Sequence, residues 1–172
     1  MASIIIGFSK SKKPTTIGRL IAWLEMTEYT HVYLLADHLI PARVVLHADT
    51  YNVHIISEKN FLINNHVVKQ FEVKLDPNEL ANFMTMALDL VGKPYSYRQL
   101  ATIGFNRVMK MWNFKFRLRE VNVNNGSNAI ICSELIERFL KEIKGIDIKE
   151  SPDAITPRDI YKICLELSLP EV

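Results

Sequence analysis

Cysteine is nearly absent from this chain, with two residues, Cys132 and Cys164, among 172. That excludes a disulfide scaffold and makes a reducing compartment the simplest setting. A Cys132–Cys164 bridge is disfavoured too, because both residues fall on helical patterns in a chain that shows no export signal. Excess charge is also missing. Lys and Arg number 21 against 19 Asp and Glu, a formal net charge of +2, so no global field favours wrapping nucleic acid or coating an anionic membrane. No apolar run approaches the roughly 18–20 residues of a bilayer-spanning helix. The first apolar segment, Ile4 to Phe8, has no basic residue before it, and Lys10, Lys12 and Lys13 come after it. That order is the reverse of a secretory signal, so cytoplasmic synthesis without a signal peptide is expected. Gly and Pro, 6 and 7 residues, are spread singly, with no repeat and no Gly/Ser-rich linker. One domain over 1–172 is expected, and a hydrophobic content of 48% suffices for its core.

What the sequence does contain is a changing period. Ile4-Ile5-Ile6-Gly7-Phe8 reads as a short buried strand, and Ile17, Leu20, Ile21 and Leu24 recur at the spacing of a helix near 16–25. Thr30 to Leu35, Arg43 to Ala48, Val53 to Ile56 and His66 to Val73 are β-rich, and Pro41 lies in the loop between the first two. They predict an antiparallel meander of about four strands from 30 to 74. At Asp76 the pattern turns helical. Asp76 suits the N-cap, Pro77 the first helical position and Glu79 the capping box, while Leu80, Phe83, Met84, Ala87, Leu88 and Val91 form the apolar stripe and Gly92 the stop. A second helix is expected to begin near Ser96. The stretch 105–119 fits either helix or strand, with Asn113 to Arg119 alternating. Asn124 to Asn128 is a loop ending in capping residues, which feeds a helix from about 129 to 143 that Gly145 stops. Thr156 and Pro157 open a last helix carrying Ile160, Ile163, Cys164 and Leu167.

Cys132 stands in the opening turn of the 129–143 helix, where unpaired N–H groups and the positive end of the helix dipole favour a thiolate. The position suits a nucleophile with a pKa below the ordinary value of about 8.5. It also suits packing, since Cys132, Leu135, Ile136, Phe139, Leu140 and Ile143 share one apolar stripe. Cys164, in mid-helix with no base nearby in sequence, reads as core. A thiol nucleophile needs a base. Of His31, His38, His47, His54 and His66, strand phase singles out two. A loop centred near residue 39 sets His31 opposite His47 on one sheet face, with Cβ atoms about 5 Å apart, close enough for one imidazole to orient the other. His38 lies in the turn, and His54 and His66 have no partner on this reading. No HExxH or CxxC spacing occurs, so neither a metal site nor a cofactor is expected.

The order of motifs carries a resemblance. Tyr29-Thr30-His31-Val32, Val45-Leu46-His47-Ala48, Val91-Gly92-Lys93-Pro94-Tyr95, Ile131-Cys132-Ser133-Glu134-Leu135 and Pro152-Asp153-Ala154-Ile155-Thr156-Pro157-Arg158-Asp159 resemble the circularly permuted branch of the NlpC/P60 papain-like superfamily. The likeness is greatest to the YiiX/YebB-like cysteine hydrolases and spans nearly the whole chain. Its specific part is His31 preceding Cys-Ser-Glu-Leu with the Gly-x-Pro-Tyr turn between them, the permuted order. The resemblance implies an α+β fold of the permuted papain-like type, an antiparallel sheet packed against helices. It implies Cys132 as nucleophile, His31 as general base and His47 as the third, orienting residue. His47 departs from the Glu of many bacterial relatives and is more like the His/His/Cys set of the lecithin:retinol acyltransferase branch. Tyr95, Tyr29 and Ser133, from the same motifs, are implied on the substrate side.

The implied activity is thiol hydrolysis of an amide, with a peptide bond in a peptidoglycan stem as the leading substrate. A basic and aromatic segment interleaves Arg107, Lys110, Lys115, Arg117 and Arg119 with Trp112, Phe114 and Phe116. It suits an anionic peptide, a glycan-linked stem or a lipid head group, and equally a solvated basic face. With His47 it makes a lipid-directed acyl hydrolase or acyltransferase the alternative. A third reading, from another class, is a binding or structural module that keeps the fold without turnover. The expected partners are a peptide or acyl substrate and no nucleic acid, since nothing resembles an aromatic-stacking RNA-binding motif. Association with a cell envelope or a phage particle is expected as well, because a wall-directed enzyme without a signal peptide needs lysis or a virion to deliver it.

Overall fold

Ile4, Ile5, Ile6 and Phe8 leave no polar face to the first strand, β1 (Ala2–Ser11), so it belongs inside a sheet covered on both sides. In the computed structural model, which describes residues 2–13, 19, 22, 26–37, 42–111, 129–146, 148 and 155–172, β1 is an inner strand. The sheet is antiparallel with β2 (His31–Asp37), β3 (Val44–Ala48), β4 (Val53–Ser57) and β5 (Asn65–Leu75) in the order β4-β3-β2-β1-β5. The meander therefore holds for β2 to β4 and fails for β5, which pairs with β1 on the far side. The cause is α1 (Glu58–Asn64), which Ser57 caps and which carries the chain over one face between β4 and β5. The loop register also differs from expectation. Ala36 faces Val44 and Leu34 faces Leu46, so the β2–β3 pairs centre on residue 40, two registers away from a direct pairing of His31 with His47. Arg43 is turned out to Glu58 and Asp37, and pairing begins only at Val44.

Each face of the sheet has its own apolar layer. On one, Ile4, Ile6, Phe8, Val32, Leu34 and Leu46 pack against α2 (Pro77–Leu90), α4 (Cys132–Arg138) and α5 (Pro157–Glu166). On the other, Ile5, Tyr33, Leu35 and Val45 pack against Phe61 of α1. Asp76, Pro77 and Glu79 start α2 as expected, with the capping box formed in both directions. Its buried stripe is narrower than the sequence suggests. Phe83, Met86, Ala87 and Leu90 face the core, whereas Met84, Leu88 and Val91 are exposed. Gly92 takes φ +86°, a left-handed turn that favours glycine. α3 (Tyr97–Met111) settles the first part of 105–119 as helix, and α4 continues as a π-helical turn, Phe139–Ile143, before Gly145 at φ +62°. Most of the helix expected near 16–25, the alternating Asn113 to Arg119, His38, the 124–128 loop and the greater part of the basic aromatic segment lie outside the described residues.

Two short segments close the flanks of the sheet. The turn after α2 lies along β4, through Val53 N–H to Lys93 O at 2.9 Å and Gly92 N–H to Val53 O at 2.8 Å. The tail lies along β5, through Glu72 N–H to Pro170 O at 2.9 Å and Val172 N–H to Gln70 O at 3.1 Å. Among the described residues no helix is long and apolar enough to cross a membrane.

Three neighbouring strands are tied by one side chain. Tyr33 on β2 faces Gly7 on β1, and Gly7 faces Gln70 on β5. The Tyr33 ring lies over Gly7, and its hydroxyl accepts from Gln70 Nε2 at 3.0 Å. A Cβ on residue 7 would stand 2.1 Å from Tyr33 Cζ, a distance no packing allows. Gly7→Ala is expected to destabilise the fold by about 1–3 kcal/mol through this overpacking, read as a lower urea midpoint. Gly7→Ala with Tyr33→Leu should recover part of the loss, and a neutral Gly7→Ala would contradict the contact.

Candidate active site

The helix that carries Cys132 begins without a side-chain cap, because its N-cap residue is Ile131. Its first N–H groups are therefore left without a side-chain acceptor. The backbone amides of Val32, Ser133 and Cys132 itself favour the thiolate electrostatically. Val32 lies beyond the last β2–β3 rung at Leu34. Burial outweighs these three amides and pushes the thiol up, not down as the helix-start position alone suggests. Cys164 is fully buried in α5, and burial pushes its thiol up to about 12, in keeping with a core residue.

His31 is the residue immediately before Val32, so the Val32 amide that favours the thiolate belongs to the peptide unit from which His31 hangs. Alternation along β2 sends the two side chains to opposite faces, Val32 to the layer of Cys132 and His31 to the layer of Tyr33 and Phe61. His31 and Cys132 thus flank the start of β2 without a hydrogen bond between them. His31 and His47 do come together despite the shifted register, with ring centroids 5.3 Å apart at 82°, and Phe61 sits 6.2 and 5.2 Å from the two rings.

Sequence reasoning left His54 without a partner, and here it has two. It faces His47 across the β3–β4 ladder, with Nε2 to Nε2 at 2.9 Å, and its Nδ1 meets Asn52 Oδ1 at 2.9 Å. Asp49 Oδ2 lies 3.5 Å from His54 Nε2, and Asp49 Oδ1 accepts from the N–H groups of Tyr51 and Asn52. The signal available in the sequence was the short Asp49 to Asn52 turn, which sets His54 against His47. His66 is exposed on β5. Glu134, also missed, is buried in the first turn of the same helix as Cys132, where burial raises its carboxyl to about 7. Among the described residues no group of three or more His, Cys, Asp or Glu is arranged to hold a metal ion.

The other motif residues separate. The Gly92–Tyr95 turn runs beside the start of α4, with Ile130 N–H to Pro94 O at 2.9 Å and a bridge between Tyr95 and Ile130. Tyr95 is thereby close enough to Cys132 to feel its charge, and burial followed by that proximity holds its hydroxyl well above the ordinary range. It stays an O–H donor. Tyr29 instead packs in an aromatic cluster, 5.0 Å from Phe8 and 5.6 Å from Tyr161, and is buried. Ser133 is buried and donates to Ile155 O at 2.6 Å, which ties α4 to the approach of α5. Both are buried in packing contacts, and their implied substrate role remains an implication of the motif order.

Compared with known protein families and with curated proteins, the chain matches none. What chemistry it can support rests on the arrangement itself: a buried thiol at a helix start, a buried tyrosine within electrostatic reach of it, and three neighbouring imidazoles on the other face of the sheet.

Burial, reinforced by the neighbouring imidazoles, lowers His31 to about 4 and His47 to about 3 from an ordinary 6.5. Below pH 6.5 the unfolded chain protonates these histidines while the folded chain keeps them neutral, so the unfolded state binds more protons. Stability is therefore fully present above pH 6.5 and falls as the pH drops towards 4, by roughly 1 kcal/mol per pH unit for each ring. Urea denaturation at a series of pH values should show this slope, and His47→Leu should flatten it. A stability that stays level from pH 6.5 to 4.5 would contradict the buried neutral pair.

Proposed function

We propose that this protein is a cysteine hydrolase of the permuted NlpC/P60 papain-like type, with Cys132 as nucleophile, His31 as general base and His47 as its orienting partner. The observation that carries the reading is the placement of Cys132 at the start of α4 against β2, with the close His31 and His47 rings on the other face of the same strand end. At rest the thiol is protonated. In this reading the thiol proton reaches the imidazole by way of water around the start of β2, since the two side chains leave the strand on opposite faces, and it passes as sulfur attacks the carbonyl carbon. The carbonyl oxygen becomes an oxyanion, met by the N–H groups at the start of α4 and by the Tyr95 hydroxyl. His31 gives its proton to the departing nitrogen, the C–N bond breaks, and a thioester remains. Water then attacks that carbonyl, His31 takes the water proton, and the acid leaves as the proton returns to sulfur.

The motif order favours an amide in a cell-wall stem peptide as the substrate. A second reading, a lipid-directed acyl hydrolase or acyltransferase, is favoured by the close His31 and His47 rings, which with Cys132 make a His/His/Cys set. Envelope or phage-particle association belongs to the first reading.

Iodoacetamide should label Cys132 well before Cys164, with a rate that climbs through and above pH ~8.5 because burial raises the thiol. Equal labelling of both, or of neither until the protein unfolds, would count against the nucleophile.

Purified protein should release stem-peptide fragments from peptidoglycan. Cys132→Ser and His31→Ala should abolish this, His47→Ala should lower it less, and Cys132→Ser should stay within roughly 1 kcal/mol of the parent stability. Intact peptidoglycan together with an acyl-thioester on Cys132 after incubation with phospholipid would transfer the assignment to the lipid reading. Neither product would leave the binding module.

A further inference from the structure

Two nitrogens at the centre of the site have no hydrogen-bond partner among the described residues, although both are buried: His31 Nε2 and His47 Nδ1. They belong to rings whose centroids are 5.3 Å apart. Their protonation follows from the outside inwards. Asn52 Oδ1 is an acceptor, so His54 donates to it from Nδ1 at 2.9 Å. A neutral His54 then has a lone pair on Nε2. The 2.9 Å contact to His47 Nε2 requires one proton between the two nitrogens, so His47 must be the donor. With its proton on Nε2, His47 carries a lone pair on Nδ1, aimed into the buried space beside His31. His31 Nε2 and His47 Nδ1 are not in hydrogen-bond contact as they stand, since each lacks a partner, and a small approach of the two rings would let His31 donate from Nε2 and keep its lone pair on Nδ1, the form a general base needs.

We propose that His54, fixed by Asn52, is a positioning residue that sets the tautomer of His47 and through it that of His31, so that the site is a file of three imidazoles ending at Asp49. The inference rests on the hydrolase reading for its purpose, and its geometry stands apart from it. It also gives the proton that His31 takes a second exit. A proton reaching His47 Nδ1 releases the Nε2 proton to His54, whose cationic form faces the Asp49 carboxylate 3.5 Å away, with no bond to carbon made or broken. His54 is partly exposed, so the file leads from the buried ring of His47 towards solvent.

The test uses the full chain labelled with 15N-histidine. A through-hydrogen-bond coupling between His47 and His54 Nε2, with His47 protonated on Nε2 and His31 on Nε2, is the expected result. His54→Leu should remove the coupling and release the His47 tautomer. His54→Gln, whose amide oxygen still accepts from His47, should keep the His47 and His31 tautomers. On peptidoglycan, or on phospholipid if that is the substrate turned over, kcat should fall on the order of tenfold in His54→Leu and recover in part in His54→Gln, a fraction of the roughly 10²–10⁴ that a placed proton carrier supplies. His47 protonated on Nδ1, no coupling at neutral pH, or stoichiometric zinc in the purified protein in place of the shared proton would each overturn the proposal. The coupling is visible whether or not Cys132 reacts with iodoacetamide. An inert Cys132 with an intact coupling would sink the hydrolase and leave the imidazole file standing, and a reactive Cys132 without it would do the reverse.

Discussion

A strand buried on both faces must hand alternate residues to two different layers, and the site depends on that constraint acting at the start of β2. Val32 goes to the helical layer that holds Cys132, while His31 goes to the layer of Phe61 and the other histidines. Sulfur and imidazole are thus separated by the thickness of one backbone. The β2–β3 ladder stops at Leu34 and Leu46, so the start of β2 that carries His31 and Val32 is not paired on that side.

The electrostatics of the two layers oppose a resting ion pair. Burial lifts the thiol and depresses the imidazoles, so the lowest state is neutral sulfur and neutral rings. The groups that would favour charge, the N–H donors at the start of α4 on one side and the Asp49 carboxylate on the other, lie at the two ends of the arrangement. On the proposed hydrolase reading, charge separation in such a place awaits a reacting carbonyl, where stabilisation of the transition state over the ground state would be gained.

How much of this was legible in the sequence depends on how local the signal was. Asp76, Pro77 and Glu79 mark the start of α2 within four residues, and Thr156 with Pro157 does the same for α5, since caps are made by neighbours in the chain. Strand order is a different matter. Nothing in His66 to Val73 says that this strand will pair with β1 and not β4, because the decision is made by α1, whose single buried residue is Phe61. The register across the 38–43 connection followed the same rule. A shift of two keeps every side chain on its face, so the hydrophobic pattern could not detect it. The pairing of His31 with His47 survived that shift for the same reason, whereas His54, across a tighter turn, acquired the direct contact. Tyr29 and Ser133 show the converse, as motif order located them but could not tell packing from recognition.

The two segments that flank the sheet have an effect beyond packing. An outer strand exposes a row of unpaired N–H and C=O groups, a template on which another chain can add. Here Gly92 and Lys93 occupy the ladder positions beside the start of β4, and residues 170–172 occupy those beside the middle of β5. Both margins are partly blunted by the protein's own backbone. The turn that shields one margin also delivers Tyr95 to the thiol, so protection against strand addition and placement of a hydroxyl at the site come from the same few residues.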